Sequence, residues 1–87
     1  MTEEGVAGFP CFYTFKVFGR QSDGFSEQVR ATIAARVGTI PLDSMKVRES
    51  GRGNYVCVSV LVHVRSREQL EHIYRDLGEQ SEVLLYL

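Results

Sequence analysis

The sequence is short of the features that mark most specialised chains. It has two cysteines, two prolines and a formal net charge of −1 across 87 residues. Two cysteines cannot build a disulfide framework, and neither sits in a C-x-x-C pair of the kind that holds zinc. A near-neutral chain is a poor electrostatic trap for nucleic acid or for an anionic membrane surface. No apolar run approaches the ~20 residues needed to span a bilayer. Internal repeats and low-complexity stretches are also missing. The acidic start, MTEEGVAG, has no apolar core segment of the kind a signal peptide carries. Together with the cysteine count this leads us to expect a reducing, cytoplasmic setting.

What is present is enough for one small core. A chain of this length is one domain and buries roughly 60–65% of the surface it exposes when unfolded. Residues 1–8 are small, polar and glycine-containing, and are expected to be mobile. The domain is expected to cover residues 9–87.

The clearest element is residues 55–64, YVCVSVLVHV, with valine at 56, 58, 60, 62 and 64. Strict alternation predicts a half-buried strand with these valines inward. Five buried valines at ~1.5–3 kcal/mol each give about ten kcal/mol of gross burial, most of which chain ordering opposes. Before it, Ser50 to Asn54 (SGRGN) reads as a hairpin turn, its glycines permitting positive φ. Met45 to Glu49 reads as a short strand with Met45 and Val47 inward and Lys46 and Arg48 outward.

Residues 11–18, CFYTFKVF, predict another strand with Tyr13, Phe15 and Val17 inward, opened by Pro10 and ended by Gly19. Phe25, Val29, Ile33 and Val37 recur at a spacing of four, one stripe of a helix. Ser22 or Asp23 is placed to cap it and Gly38 to stop it, with Pro41 barring continuation. Ser66 and Gln69 form a capping box before a second stripe, Leu70, Ile73, Tyr74 and Leu77. Arg67–Glu71 and Glu71–Arg75 are i,i+4 pairs on its other face. Gly78 closes this helix, and Val83, Leu85 and Leu87 make a last strand.

The order is βαββαβ. Such an order forms the α+β, ferredoxin-like sandwich: a four-stranded antiparallel sheet in the order 4-1-3-2, with two helices on one face. The first and third strands should be central.

Chemistry is harder to find. Cys57 and His63 lie six residues apart on one strand, about 20 Å at ~3.3 Å per residue, while a nucleophile–base pair must approach to about 3 Å. Cys11 and Cys57 fall on opposite sheet faces, which sets a disulfide aside. His72 falls off the apolar stripe of its helix and reads as solvated. No catalytic residue, metal site or cofactor is therefore expected. RNA-binding modules share this strand order and place stacking aromatics at the start of the third strand. Tyr55 fits, but Asn54, Cys57 and Ser59 do not stack bases. Residues 19–25, GRQSDGF, occupy the position of the ligand loop in amino-acid-sensing regulatory domains of the ACT type; a cap and a turn explain them as simply. Gly51 and Gly53 flank Arg52 as in an anion nest, but a hairpin of this length needs glycines in any case.

One set of landmarks has a distinctive order: Phe9-Pro10, Thr14, Lys16-Val17 and Gly19; Gly53-Asn54-Tyr55 with Val58-Ser59-Val60; Glu68-Gln69, Tyr74, Leu77-Gly78 and Leu87. Together they resemble the YbeD-like family of small bacterial proteins of unknown function. The resemblance implies a stand-alone ferredoxin-like domain, similar in fold to ACT regulatory domains, with no catalytic residues. A place near lipoate-synthesis genes implies a regulatory link to lipoate metabolism. Cys57 and residues 49–51 depart from the pattern, where relatives can carry hydroxyl-rich or proline-containing residues.

The expected function is that of a small non-enzymatic regulatory or binding module. Its expected surface is the open sheet face and the hairpin: Lys16, Arg48 and Arg52 for charge, Asn54 in the turn, Tyr55 for stacking and Ser59 for its hydroxyl. The expected partner is a protein or a small anionic ligand. Nucleic acid is disfavoured, no membrane is involved, and the chain is a monomer or a weak homodimer. The alternatives are a dimeric amino-acid sensor and a single-stranded RNA-binding module.

Overall fold

The computed structural model describes residues 8–50 and 52–87, so the segment expected to be mobile lies, apart from Gly8, outside the described residues. The elements are β1 (Cys11–Arg20), α1 (Phe25–Val37), a 3₁₀ turn (Leu42–Ser44), β2 (Met45–Glu49), β3 (Tyr55–Val64), α2 (Arg67–Gly78) and β4 (Val83–Tyr86). The antiparallel sheet has the order β2-β3-β1-β4, the expected ferredoxin-like arrangement.

β1 and β3 pair without interruption from Cys11 opposite Val64 to Arg20 opposite Tyr55. All five valines of β3 are buried, together with Phe15 and Val17 of β1. Phe25, Val29 and Ile33 of α1 and Ile73 and Leu77 of α2 complete the same core. The alternation of the strands and the stripes of the helices thus meet on one side of the sheet. The other side is left bare.

Several local expectations change in the folded chain. β1 does not end at Gly19 but runs through it to Arg20. Gly19 is buried, and a Cβ there would meet the Phe25 ring and lie 2.6 Å from the Glu82 carbonyl oxygen. The glycine is required by close packing and does not terminate the strand. α1 is not capped by Ser22 or Asp23. Its N-cap is Gly24 at φ +81°, with no side-chain cap hydrogen bond. The turn needs a left-handed residue there, which displaces the polar candidates from the capping position. Gly38, at φ +95°, does end α1.

Gly78 is the last residue of α2, and Glu79 is the C-cap. Gly78 instead makes room for Tyr86, whose hydroxyl would sit 2.8 Å from an added Cβ. Val47 is 52% exposed, because β2 is an edge strand beyond the reach of the helices. Arg67, Glu71 and Arg75 form no ion pairs among the described residues; the pairs there are Glu27–Arg30 and Arg36–Asp76. Fully solvated i,i+4 partners gain too little to hold fixed rotamers.

β4 also departs from simple alternation. Tyr86 pairs with Val17 and Leu85 with Phe18, yet Val83 pairs with Gly19. The bulge flips the register, so Val83 and Tyr86 face the helices while Leu85 faces the open side. Tyr86 stacks on Tyr74 at 5.6 Å between ring centroids, and Tyr74 shares a 2.6 Å hydroxyl–hydroxyl hydrogen bond with Tyr13. Partial burial, with that hydrogen bond second, raises the pKa of the Tyr74 phenol.

Polar side chains tie the two helices together. Arg36 donates to both Asp76 carboxylate oxygens, at 2.8 and 3.2 Å. Ser66 Oγ accepts from the Gln69 backbone N–H at 3.1 Å, the first half of the expected capping box. The Gln69 side chain accepts from Arg65 N–H at 2.8 Å, one residue earlier than the box predicts, and donates to the Arg36 carbonyl at 2.8 Å. One glutamine thereby ties the start of α2 to the end of α1.

Candidate functional site

The open side of the sheet is built from the residues that alternate with the core. β1 contributes Phe12, Thr14, Lys16, Phe18 and Arg20, and β3 contributes Tyr55, Cys57, Ser59, Leu61 and His63. β2 adds Lys46 and Arg48, and Leu85 comes from β4. Leu87 joins them, exchanging two backbone hydrogen bonds with Lys16 at 3.0 and 2.8 Å. Alternation decides this membership, because a residue cannot serve both faces of one strand.

The charges on this face have one sign. Its strand positions carry Lys16, Arg20, Lys46 and Arg48 and no carboxylate; Asp43 stands at its rim. The carboxylates gather on the other layer, at Glu27, Glu68, Glu71, Asp76, Glu79 and Glu82. Near them an open, acid-lined cleft of 530 Å³ lies between α1 and the end of α2. The Arg36 hydrogen bond holds the Asp76 carboxyl below its ordinary pKa.

The open face also exposes large apolar side chains. Phe12 is 70% exposed, and Leu61, Leu85 and Leu87 are each about half exposed, at 45%, 52% and 57%. Single exposed apolar residues are ordinary; several on one sheet face are not.

Of the six residues expected to form the surface, the structure groups four. Lys16 stands directly opposite Ser59, and Arg48 opposite Cys57, one pair further toward the hairpin, where Tyr55 lies. Arg48, Tyr55, Phe18 and Cys57 line one shallow depression. Arg52 and Asn54 are exposed in the turn itself. The Asn54 carbonyl is occupied, accepting from Gln21 N–H at 2.9 Å. Gly53 takes the left-handed conformation at φ +72°; Gly51, the other half of the possible anion nest, lies outside the described residues.

Lys46 belongs with the group, since it faces Ser59 from the side opposite Lys16. Its place in the alternation of β2 was the signal for it. Leu85 and Leu87 also belong, and the bulge in β4 concealed their neighbours.

Cys57 and His63 remain apart in the register, opposite Phe18 and Phe12 respectively. The His63 ring instead meets the Phe12 ring edge-on at 5.2 Å. Both cysteines are free. Among the described residues, no three His, Cys, Asp or Glu side chains gather as metal ligands would. No helix there is long and apolar enough to cross a membrane. The loop over residues 19–24 is tied to the hairpin: the Gln21 side chain donates to Glu49 at 3.2 Å, alongside the backbone bond to Asn54.

Comparison with known proteins places this geometry in a family. Residues 4–87 match the family described as "Protein of unknown function (DUF493)". A UPF0250 protein of Vibrio cholerae is 40% identical over 80 residues, covering 91% of this chain and 84% of the relative. A UPF0250 protein of Nitrosomonas europaea is 28% identical over the full length of both chains, 87 residues of this one. Among solved structures, protein HP0495 from H. pylori aligns with a TM-score of 0.69 at 14% identity, over 100% of this chain and 94% of that one. The ACT domain from the GTP pyrophosphokinase of Chlorobium tepidum also aligns with a TM-score of 0.69, at 10% identity, over 88% of this chain and 83% of that one. At such identities the two structures speak for the fold alone.

Proposed function

The chain belongs to the DUF493 (UPF0250, YbeD-like) family, whose fold is ACT-like, and from that premise we propose that it is a non-enzymatic binding or regulatory module working through its open sheet face. The observation that carries this reading is the division of the molecule. One side of the sheet is covered by helices that are tied together by the Arg36–Asp76 pair and by the Gln69 side chain. The other side combines four cationic side chains with exposed Leu61, Leu85 and Leu87. Such a face suits recognition of a protein or of an anionic ligand. The dispersal of Cys57, His63 and His72 supports a non-enzymatic role. A cytoplasmic location and a regulatory tie to lipoate metabolism belong to the same proposal.

The test is retention of a partner that co-purifies from the native cell. Changing Lys16, Arg48 and Tyr55 together to alanine should release it while leaving the thermal midpoint nearly unchanged. Undiminished retention by that variant would remove this face from consideration.

The amino-acid-sensing alternative has less support. Within the residues 19–24 that it needs, Gln21 is engaged with Asn54 and Glu49 of the hairpin.

A further inference from the structure

The open face has a layout that specifies its occupant more narrowly, given the reading that this face is the working surface. Two depressions lie along β3. One, of 230 Å³, is lined by Thr14, Lys46, Ser59 and Leu61, with Asp43 and Ser44 at its edge. The other, of 200 Å³, is lined by Phe18, Arg48, Tyr55 and Cys57, with Glu49, Ser50 and Val56 at its hairpin edge. Leu61 and Cys57 are four residues apart on one strand, which is about 13 Å. Between them the register sets Lys46, Ser59 and Lys16 in a single cross-strand row. The sequence of features is a dent at Leu61 whose lining includes Lys46 and the Ser59 hydroxyl, the Lys16 ammonium on the other side of Ser59, and a second dent of Phe18, Tyr55 and Cys57 edged by the Arg48 guanidinium and, at the hairpin, by Glu49.

We propose that this face docks an acidic protein segment carrying two aliphatic side chains about 13 Å apart with carboxylates between them. The aliphatic groups fill the two dents, and the carboxylates meet Lys16 and Lys46. An α-helix meets the requirement with aliphatic residues at i and i+8, about 12 Å apart, and acids at i+3 and i+4 on the same side.

The other occupants fit less well. A second copy laid face to face would set Lys16, Lys46 and Arg48 against their own counterparts, and like charges in contact oppose association. Single-stranded RNA binds by stacking bases on aromatic rings. The rings on this face lie toward its ends, Phe12 and His63 at one and Phe18 and Tyr55 at the other, leaving Ser59, Lys16 and Leu61 in the middle.

The test uses the full chain, isotope-labelled, with backbone amide shifts as the readout. The first probe is a synthetic helical peptide with leucines eight residues apart and glutamates between them. The second is the same peptide with lysine for each glutamate, and the third is oligouridine. The expected result is saturable shifts at Lys16, Lys46, Arg48 and Leu61 with the acidic peptide alone. Lys46→Glu with Arg48→Glu should weaken that peptide about tenfold or more, leave the thermal midpoint in place, and gain affinity for the lysine peptide. Equal response to both peptides, or acidic-peptide shifts confined to the helices, overturns the proposal. Shifts of this face by oligouridine but not by the acidic peptide overturn it while leaving the face as the working surface. Shifts that grow with protein concentration alone assign the face to a second copy and overturn it too. Silence of the face toward every probe, with partner retention unchanged in the alanine variant, removes both readings.

Discussion

Replacing Gly19 with alanine probes a close approach of β1 to α1 and to the turn before β4. Gly19 lies within β1 with no positive φ, so alanine brings no backbone strain. Fewer unfolded conformations would favour alanine by ~0.5–1 kcal/mol. Against this, the added methyl would meet the Phe25 ring and would stand 2.6 Å from the Glu82 carbonyl oxygen. The ring can swing only into a filled core, since Phe25 is 3% exposed. The carbonyl is main chain, in the turn closed by the 3.1 Å bond from Val83 N–H to the Gln80 carbonyl. Overpacking of this kind costs ~1–3 kcal/mol, and contact with immobile backbone puts the site at the upper end. The net expectation is a loss of ~1–2.5 kcal/mol, which in a domain of this size lowers the thermal midpoint by about 5–20 °C. Urea denaturation followed by circular dichroism should show a lower midpoint at an unchanged slope. Adding Phe25→Leu removes the ring contact but not the carbonyl contact, so the double variant should recover part of the loss, with a coupling of at least ~0.5 kcal/mol. A Gly19→Ala protein as stable as the parent, or strict additivity with Phe25→Leu, would refute this account of the site.

Two further predictions concern the helix layer. Gly78→Ala should change stability by no more than about 1 kcal/mol, because helix propensity favours alanine and the obstacle is only the movable, 37% exposed ring of Tyr86; a drop in the denaturation midpoint as large as that at Gly19 would contradict it. Asp76→Asn should destabilise slightly at neutral pH. The folded-state pKa of Asp76 is depressed, chiefly by the Arg36 hydrogen bond, so its contribution is complete above the ordinary carboxyl range and disappears as pH falls through the folded value. The gap in thermal midpoint between variant and parent should therefore narrow as pH falls below the ordinary carboxyl range and shrink in salt, whereas a gap that widens on acidification would reverse the sign of the argument.

Much of the domain could be read along the chain because its elements obey their periods. The valines of β3 alternate without a break, and every one is buried. The stripe from Phe25 to Val37 coincides with α1, and the reading of β2 from Met45 to Glu49 matches the strand. The family resemblance also came from ordered landmarks and holds over residues 4–87. The readings that changed each depend on a neighbour distant in sequence. Gly19 and Gly78 look like terminators when read locally, but are small because Phe25 and Tyr86 cross them. Val47 has the pattern of an inward residue, yet its strand lies at the edge of the sheet.

The open face follows the same division. Its membership in β1, β2 and β3 was legible, since residues that alternate with a core must point away from it. Which of them stand together was not, because strand register depends on pairing across the sheet. Local pattern, set by covalent geometry and side-chain character, determined on its own the elements, their order and the side of each strand that turns inward. Only the folded chain brought Lys16 and Lys46 to either side of Ser59, turned Leu85 outward through a bulge and set four cations, with no strand carboxylate, on the face opposite the helices. Those relations exist only between segments far apart along the backbone.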